Sequence, residues 1–252
     1  MKNTTTDIID WLKEYKKESG VGGFVVGVSG GIDSAVVSTL CCLTELPTLV
    51  VTMPINQDTT LHNRSILHVD WLIKNYNNTI NKNIDLTDVY NKFESSVSSS
   101  NLGYANSKAR IRMTTLYALA AEKNYIVVGT GNKVEDFGVG FFTKYGDGGV
   151  DISPIADLLK SEVYKIAKDL NIHPEIINAQ PTDGLWEDGR GDEDQLGATY
   201  DELEWAMKTS DTISKQETNK LTDREQEILD IYRFHRKKNM HKMVNIPVFK
   251  TK

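Results

Sequence analysis

The stretch of the sequence with the most chemistry is SGGIDS, which begins at Ser29 after a run of small β-branched residues and leads into an Ala/Val/Leu-rich segment. At the carboxyl end of a parallel strand, the next helix presents free backbone N–H groups and the positive end of its dipole. Gly27, Gly30 and Gly31 let the backbone approach a ligand closely, and the Ser29 and Ser34 hydroxyls add donors. The stretch therefore predicts an anion site. The alternative is a tight strand-to-helix connection with glycine for the turn and serine or aspartate as cap.

Two familiar phosphate-binding motifs do not fit this turn. The GxxxxGK[ST] motif needs a lysine, and none lies between Phe24 and Cys42. The GxGxxG motif fails because Ser29 stands where its second glycine belongs. What remains is SGGxDS, in which Asp33 places a carboxylate beside the predicted anion site.

A second carboxylate occupies a matching position later in the chain. Glu135 follows a predicted strand end in GTGNKVE, as Asp33 does in SGGIDS. Two carboxylates at neighbouring strand ends form an oxygen-rich site suited to Mg²⁺, which keeps several waters and bridges phosphate groups. We therefore expect Asp33 and Glu135 to bind a magnesium ion, with the adjacent Asp136 as the alternative ligand.

Strands and helices alternate along the chain, which predicts an α/β fold with a doubly wound, mostly parallel sheet flanked by helices. Apolar runs predict strands, and apolar residues at helical spacing predict helices. The predicted strands cover residues 24–28, 48–53 and 125–129, and the predicted helices cover residues 6–19, 34–43, 61–75, 108–123 and 160–170. We see neither an internal repeat nor a shift in composition, so we expect residues 1–252 to form a single domain.

Three polar segments do not fit the pattern of a buried core. They cover residues 95–106, 182–195 and 209–219. Long polar loops in a compact domain are commonly lids or substrate loops, although tolerated surface insertions look the same. We expect the first two segments to be lids that become ordered when substrates bind.

The composition limits the classes of partner. The 252 residues carry a formal net charge of −6, and the short RFHRKK stretch at 233–238 reads as one solvated helix face, so we expect neither nucleic acid nor membrane as a partner. Cys41 and Cys42 are adjacent in an apolar run and offer neither a disulfide framework nor a CxxC metal site. The N-terminus lacks the apolar core of a signal peptide, and no stretch reaches the roughly eighteen apolar residues of a membrane span. We therefore expect a cytoplasmic protein.

Several stretches resemble one known family. SGGxDS resembles the pyrophosphate loop of the N-type ATP pyrophosphatases, which implies a Rossmann-like fold of the adenine-nucleotide alpha-hydrolase kind. The stretches GTGNKVE, FFTKYGDGG and PTDGLWEDGRGDEDQLGATYDELE, together with His241 and Lys242, are similar to the ammonia-dependent NAD synthetases. The resemblance implies that ATP, deamido-NAD (nicotinic acid adenine dinucleotide) and ammonia are converted to NAD, AMP and pyrophosphate.

The implied reaction makes chemical demands that these residues could meet. A carboxylate is a poor electrophile, so the nicotinate carboxylate first attacks the α-phosphorus of ATP, and ammonia then displaces AMP from the acyl-adenylate. Negative charge accumulates on the departing pyrophosphate, and it is stabilised by donors, cations and metal arranged beforehand.

For ATP, the resemblance implies contacts by the whole turn and by three later residues. Asp33, Glu135 and Lys160 are the implied catalytic residues, and the two carboxylates are the implied ligands of Mg²⁺. Taken alone, Lys160 would be a solvent-facing helix residue. The implied ATP-binding residues are Gly27, Val28, Ser29, Gly30, Gly31, Ile32, Asp33, Ser34, Thr130, Lys160 and Thr182.

For deamido-NAD, the resemblance implies a second set of residues, most of them basic. Arg110 and Lys144 would offset diphosphate and carboxylate charge, although Arg110 taken alone would be a helix-surface salt bridge and His241 a tail residue. The implied substrate-binding residues are Arg110, Lys144, Asp151, His241 and Lys242.

The sequence departs from the commonest family members at two places. One more residue separates Glu135 from the TKYGD phrase, and Met243 stands where an arginine usually follows His-Lys. Because Glu135 keeps its spacing from Thr130, we assign the metal to Glu135.

The resemblance also bears on nitrogen source, assembly and rival functions. Glutamine-using relatives carry an amidohydrolase domain ahead of the synthetase part; we expect no such domain here, and free ammonia or ammonia from a separate protein as the nitrogen source. A homodimer is implied. Three alternative functions are a GMP-synthetase-like enzyme, a tRNA thiolase and a universal-stress-type binding module. A tRNA thiolase would need cysteines and a basic surface. A binding module would not need Asp33, Glu135 and Lys160 together.

Overall fold

The computed structural model describes residues 2–57, 59–182, 184, 191–213 and 220–251. The strands are β1 (Gly23–Gly27), β2 (Thr48–Thr52), β3 (Thr79–Asn83) and β4 (Tyr125–Val128). The helices are α1 (Lys2–Ser19), α2 (Ile32–Leu43), α3 (Thr59–Asn75), α4 (Thr87–Ser96), α5 (Asn101–Lys123), α6 (Lys160–Asp169), α7 (Pro174–Ile177), α8 (Asp192–Leu196), α9 (Tyr200–Ser210) and α10 (Asp223–Met243), with a π-helix at Lys133–Val139. No helix within these ranges is long and apolar enough to cross a membrane.

The four strands form one parallel sheet in the order β3-β2-β1-β4, which confirms the predicted fold class. Val26 in the centre of β1 is in register with Val50 on one side and Val128 on the other. The chain builds β2 and β3 on one side of β1 and then crosses to place β4 on the other side. This change of direction creates a crevice outside the carboxyl ends of β1 and β4, which is where ligands bind in such sheets.

Successive residues of β1 enter different cores because the sheet is covered on both faces. Val26 packs with Leu40 and Ile166 on the face covered by α1, α2 and α6. Val25 packs with Leu119 and Val127 on the face covered by α5. Burial on both faces explains why β1 reads as a continuous apolar run rather than an alternating one.

A third core cluster lies beyond the sheet and joins the π-helix to α9 and α10. Its fully buried members include Val134, Leu203 and Leu229. This cluster packs the π-helix against the first half of α10. The π-helix and the end of α10 both contribute to the cleft described below.

The prediction of a polar loop at residues 95–106 is wrong, because most of that segment belongs to helices, whereas its role as a lid stays a prediction. The Ser95 and Ser96 hydroxyls donate to the carbonyl oxygen of Lys92 at the end of α4, and Ser100 caps α5 by accepting from the backbone N–H of Gly103. The serine cluster thus ends one helix and begins the next.

The other two polar segments are only partly described. Residues 192–195 of the second belong to α8, whereas 183 and 185–190 lie outside the described residues, so its role as a lid stays a prediction. The third begins in the last turn of α9, and its residues 214–219 also lie outside the described part.

Candidate active site

A cleft of about 740 Å³ opens at the carboxyl ends of β1 and β4. Its walls are formed by the β1–α2 turn, α5, the π-helix and residues 140–150, and by the end of α10. Every residue predicted from the sequence to bind ATP, metal or deamido-NAD lines this cleft except Asp151. The fold therefore brings together positions that are up to about two hundred residues apart in the sequence.

The glycine-rich turn between β1 and α2 has a backbone that a larger residue could not adopt. Gly30 has a φ of +91°, and a Cβ built on it would lie 2.5 Å from the carbonyl oxygen of Leu61. Gly31 is the N-cap of α2 and has no side chain to accept from the N–H groups of the first turn. Those N–H groups and the helix dipole are available to an anion in the cleft.

Three charged side chains meet directly beside this turn. Lys160 Nζ lies 2.5 Å from Asp33 Oδ2 and 2.8 Å from Glu135 Oε1. Its side chain is 3% exposed, so the alternative of a solvent-facing lysine does not hold. We call Asp33, Lys160 and Glu135 the charged triad.

Burial and the opposite charges of the triad shift the pKa values of its three groups. Burial raises the pKa of Asp33, and the charge of Lys160 opposes that shift without overcoming it. Burial acts in the same direction on Glu135, but Lys160 and the hydrogen bonds from Lys160 and Tyr200 hold the pKa of this carboxyl below its usual value. Burial disfavours the charged form of Lys160, yet the two carboxylates raise its pKa and keep it protonated.

Two residues that sequence reasoning missed hold the triad in place. Asn132 is fully buried; its Nδ2 donates to Asp33 Oδ1 at 3.2 Å, and its Oδ1 accepts from the backbone N–H groups of Val134 and Glu135. The Tyr200 hydroxyl lies 2.5 Å from Glu135 Oε1. Both residues stand in stretches that resemble the family, but only the fold shows what they contact.

The π-helix, Lys133–Val139, overlaps the stretch between Glu135 and the TKYGD phrase in which the resemblance implied one extra residue. A π-helix accommodates an extra residue without breaking the element, and such helices are frequent at functional sites. Asn132 caps its start, and Gly140 ends it at a φ of +66°. Within it, Glu135 joins the triad, while the Asp136 carboxylate packs against Gly131, where a Cβ would overlap it.

The basic residues on the opposite wall donate to backbone carbonyl oxygens. The Arg110 guanidinium donates to the Lys144 carbonyl oxygen at 3.3 Å, and Lys144 Nζ donates to that of His241 at 2.8 Å. Lys242 Nζ donates to the carbonyl oxygen of Phe142 at 2.6 Å. We call Arg110, Lys144 and Lys242 the basic wall.

The two predicted threonines lie in the cleft, whereas Asp151 does not. Thr130 follows β4, and the Thr182 hydroxyl accepts from the backbone N–H of Gly184 at 3.2 Å. The Asp151 carboxylate accepts from the backbone N–H of Val127 at 2.8 Å and from the Tyr117 hydroxyl at 2.9 Å. In this arrangement Asp151 ties β4 to α5.

Fold and cleft together define a Rossmann-like α/β protein with a charged site at the switch point of its sheet. The chain belongs to the NAD synthase family, whose model matches residues 4–245. This finding confirms the resemblance that the sequence motifs indicated.

Relatives and solved structures agree with that family. The chain is 36% identical over 246 residues to the NH(3)-dependent NAD(+) synthetase of Carboxydothermus hydrogenoformans, covering 94% of this chain and 93% of that one. It is similar to the structure of NMN synthetase from Francisella tularensis, with a TM-score of 0.87, 30% identity, and coverage of 99% and 98% of the two chains. It is also similar to the NH3-dependent NAD synthetase from Campylobacter jejuni, with a TM-score of 0.80, 27% identity and the same coverage.

Proposed function

We propose that this protein is a ligase that amidates deamido-NAD with ammonia at the expense of ATP, giving NAD, AMP and pyrophosphate through an acyl-adenylate. The observation that carries the proposal is the charged triad beside the glycine-rich turn in a member of the NAD synthase family. A binding module has no need for two buried carboxylates and a lysine that converge on one point of its cleft.

The phosphates of ATP bind at the turn from Gly27 to Ser34 in this proposal. First-turn N–H groups of α2 and the Ser29 and Ser34 hydroxyls receive the leaving pyrophosphate as the nicotinate carboxylate attacks the α-phosphorus. Lys160 leaves the carboxylates and donates to phosphate oxygens, while Thr130 and Thr182 contact the nucleotide from the opposite edge. The α–β phosphoanhydride bond breaks as the bond between carboxylate oxygen and phosphorus forms.

Asp33 and Glu135 would hold Mg²⁺. Their oxygens both lie within 2.8 Å of the same cationic nitrogen, Lys160 Nζ, so the two carboxylates already converge as ligands of one cation do. No group of three or more His, Cys, Asp or Glu side chains in the described ranges is arranged for a metal, and Mg²⁺ typically takes one or two carboxylates together with phosphates and waters. When bound, the ion neutralises charge that develops on the phosphate oxygens.

Deamido-NAD binds along the basic wall in this proposal, with His241 at its rim. Carbonyl oxygens have no net charge, so the hydrogen bonds of Arg110 and Lys144 leave their positive charges available to the diphosphate and carboxylate of the substrate. Lys242 completes the wall, near the carboxyl groups of Asp136 and Asp147. The role of Asp151 in substrate binding stays a prediction.

The proposal includes a cytoplasmic homodimer of single-domain chains that uses free ammonia or ammonia from a separate protein. The buried free thiols of Cys41 and Cys42 suit a reducing compartment. Exposed apolar side chains at Ile246, Val248 and Phe249 suit contact with a second copy of the chain.

The test is release of pyrophosphate from ATP by purified protein with magnesium, deamido-NAD and ammonium, compared with each component omitted. We expect stoichiometric AMP, pyrophosphate and NAD only in the complete mixture. ATP hydrolysis to ADP, or ATP binding without turnover in the complete mixture, would refute the proposal.

Nicotinic acid mononucleotide is the second candidate substrate. The structure with the higher TM-score, 0.87 against 0.80, is that of an NMN synthetase, whose product is the amide of this mononucleotide. The same assay with each substrate in turn separates the two, because kcat/KM ranks the substrates directly.

A further inference from the structure

Tyr200 is a buried residue that touches two members of the charged triad. It is the first residue of α9, 7% exposed, and it follows Thr199, which caps the helix together with Glu202. Its ring belongs to the core cluster of α9 and α10, which fixes the direction of the side chain toward the cleft. The side chain therefore reaches the triad from a rigid element.

The contacts of Tyr200 are with the groups that the proposed reaction uses. Its hydroxyl lies 2.5 Å from Glu135 Oε1, the same oxygen that accepts from Lys160 Nζ at 2.8 Å. Lys160 Nζ in turn lies 4.8 Å from the centroid of the Tyr200 ring, within range of a cation–π interaction. One side chain thus contacts the carboxylate through its hydroxyl and the ammonium through its ring.

The hydroxyl also connects the triad to the opposite edge of the cleft. It lies 3.2 Å from Asp192 Oδ2, and the backbone N–H of Asp192 donates to the carbonyl oxygen of Pro181, next to Thr182. A tyrosine hydroxyl has a single hydrogen, and the shorter contact marks Glu135 as its acceptor.

We propose that Tyr200 is a positioning residue of the reaction proposed above, on which this inference rests. Its hydroxyl fixes the orientation in which the Glu135 carboxylate binds the metal. Its ring stabilises the Lys160 ammonium as that group moves from the carboxylates to the phosphates. A partner that orients a metal ligand restricts the carboxylate to one rotamer and so lowers the entropic cost of binding the ion. The hydroxyl itself forms no bond with substrate or metal.

The experiment compares Tyr200→Phe with Tyr232→Phe. Tyr232 is 2% exposed and belongs to the same core cluster, but its hydroxyl interacts with Arg236. Both changes remove one buried hydroxyl and keep the ring. Mn²⁺ binding is measured by electron paramagnetic resonance with an ATP analogue that has a methylene bridge between the α- and β-phosphorus, and thermal melting checks the fold.

We expect Tyr200→Phe to weaken Mn²⁺ binding by roughly 10- to 100-fold and to lower kcat, with the KM for deamido-NAD unchanged. Tyr232→Phe should leave Mn²⁺ binding unchanged. Unchanged Mn²⁺ affinity in folded Tyr200→Phe, or equal losses in both variants, would overturn the inference.

The outcome also separates this inference from the proposed function. Mn²⁺ binding is measured without turnover, so the comparison stands even if wild-type protein fails to release pyrophosphate. If wild-type protein turns over and folded Tyr200→Phe matches it in Mn²⁺ affinity and kcat, the function holds and the positioning role fails.

Discussion

The two walls of the cleft hold their charges in opposite ways. On the triad wall, Lys160 is buried between Asp33 and Glu135, so positive and negative charges compensate each other inside the protein. On the basic wall, Arg110 is exposed and donates to a carbonyl oxygen, as Lys144 does. On one wall two carboxylates share a single buried lysine, whereas the other wall keeps positive charge for a ligand.

Because of this difference, the two walls should respond differently to substitution. A buried charge that loses its partner is costly, so changes in the triad should affect folding and turnover together. A partly exposed cation bonded to a carbonyl oxygen contributes little to stability, so changes in the basic wall should affect substrate binding alone. Four substitutions test this contrast, and Lys160→Met and Arg110→Ala stand at its two extremes.

Lys160→Met should have the largest effect, because it leaves two carboxylates without their shared cation. We expect the free energy of unfolding to fall by about 3–5 kcal/mol. We also expect kcat to fall by roughly 10- to 150-fold through loss of a charge-assisted phosphate contact. Urea unfolding and the pyrophosphate assay measure the two effects.

The matched control is Lys133→Met. Lys133 forms an ion pair with Asp157 at 2.7 Å, but the two side chains are 36% and 95% exposed. Removing an exposed pair should cost at most about 1 kcal/mol. Equal losses of stability in the two lysine variants would contradict the distinction between buried and exposed charges.

His68→Gln should change how the free energy of unfolding depends on pH. His68 Nε2 lies 2.9 Å from Ser38 Oγ, which donates to the carbonyl oxygen of Ser34 in the glycine-rich turn region. Burial lowers the pKa of His68 to about 4, so the unfolded chain takes up a proton first as the pH falls. Wild-type stability should therefore be full above pH about 6.5 and fall by up to about 3 kcal/mol toward pH 4.

Urea unfolding at several pH values between 7.5 and 4.5 measures how the free energy of unfolding changes with pH. In His68→Gln the histidine contribution is absent, so the curve should be flatter over the same window. If the free energy of unfolding has the same pH dependence in wild-type protein and in His68→Gln, groups other than His68 cause that dependence.

Asn132→Ala should have an intermediate effect, because Asn132 connects the Asp33 carboxylate to the backbone of Glu135. The change leaves Asp33 Oδ1 without its amide donor and the N–H groups of Val134 and Glu135 without their acceptor. We expect a loss of about 1–3 kcal/mol in the free energy of unfolding, with a lower kcat. Wild-type stability and turnover in this variant would contradict the account of the triad.

Arg110→Ala should have the smallest effect on the folded protein and a selective effect on substrate binding. We expect the KM for deamido-NAD to rise about tenfold, while the KM for ATP and the melting temperature stay unchanged. Arg224→Ala is the control, because Arg224 pairs with Glu202 and Glu227 away from the cleft. A rise in the KM for ATP rather than for deamido-NAD in Arg110→Ala would place the dinucleotide elsewhere.

Local sequence patterns predicted the two helices that carry Asp33 and Lys160 and the strands before them, but not the π-helix that carries Glu135. β1, β2 and β4 are buried runs of apolar residues, and the glycine-rich turn has spacing that permits comparison with known loops. β3 was missed because its residues TINKN are mostly polar and exposed at the edge of the sheet. The first turns of α5 were missed because Asn, Gly and Ser disfavour helix, and a serine cap overrides that preference.

The contacts that orient the triad could not be predicted from local sequence. Asn132 and Asp33 are 99 positions apart, and Tyr200 and Glu135 are 65 apart. Their partnership depends on how β1, β4 and α9 pack, and no periodic pattern encodes it. The π-helix could be suspected from the extra residue, but its location required the structure.

Oxygen transfer from substrate into product tests directly whether an acyl-adenylate forms in the cleft. Deamido-NAD labelled with ¹⁸O in its nicotinate carboxylate is converted with ATP, magnesium and ammonia, and the masses of the products are measured by mass spectrometry. Attack of the carboxylate on the α-phosphorus predicts one ¹⁸O atom in each AMP and none in pyrophosphate. Label in pyrophosphate or inorganic phosphate, or AMP without label, would contradict an acyl-adenylate formed at this site.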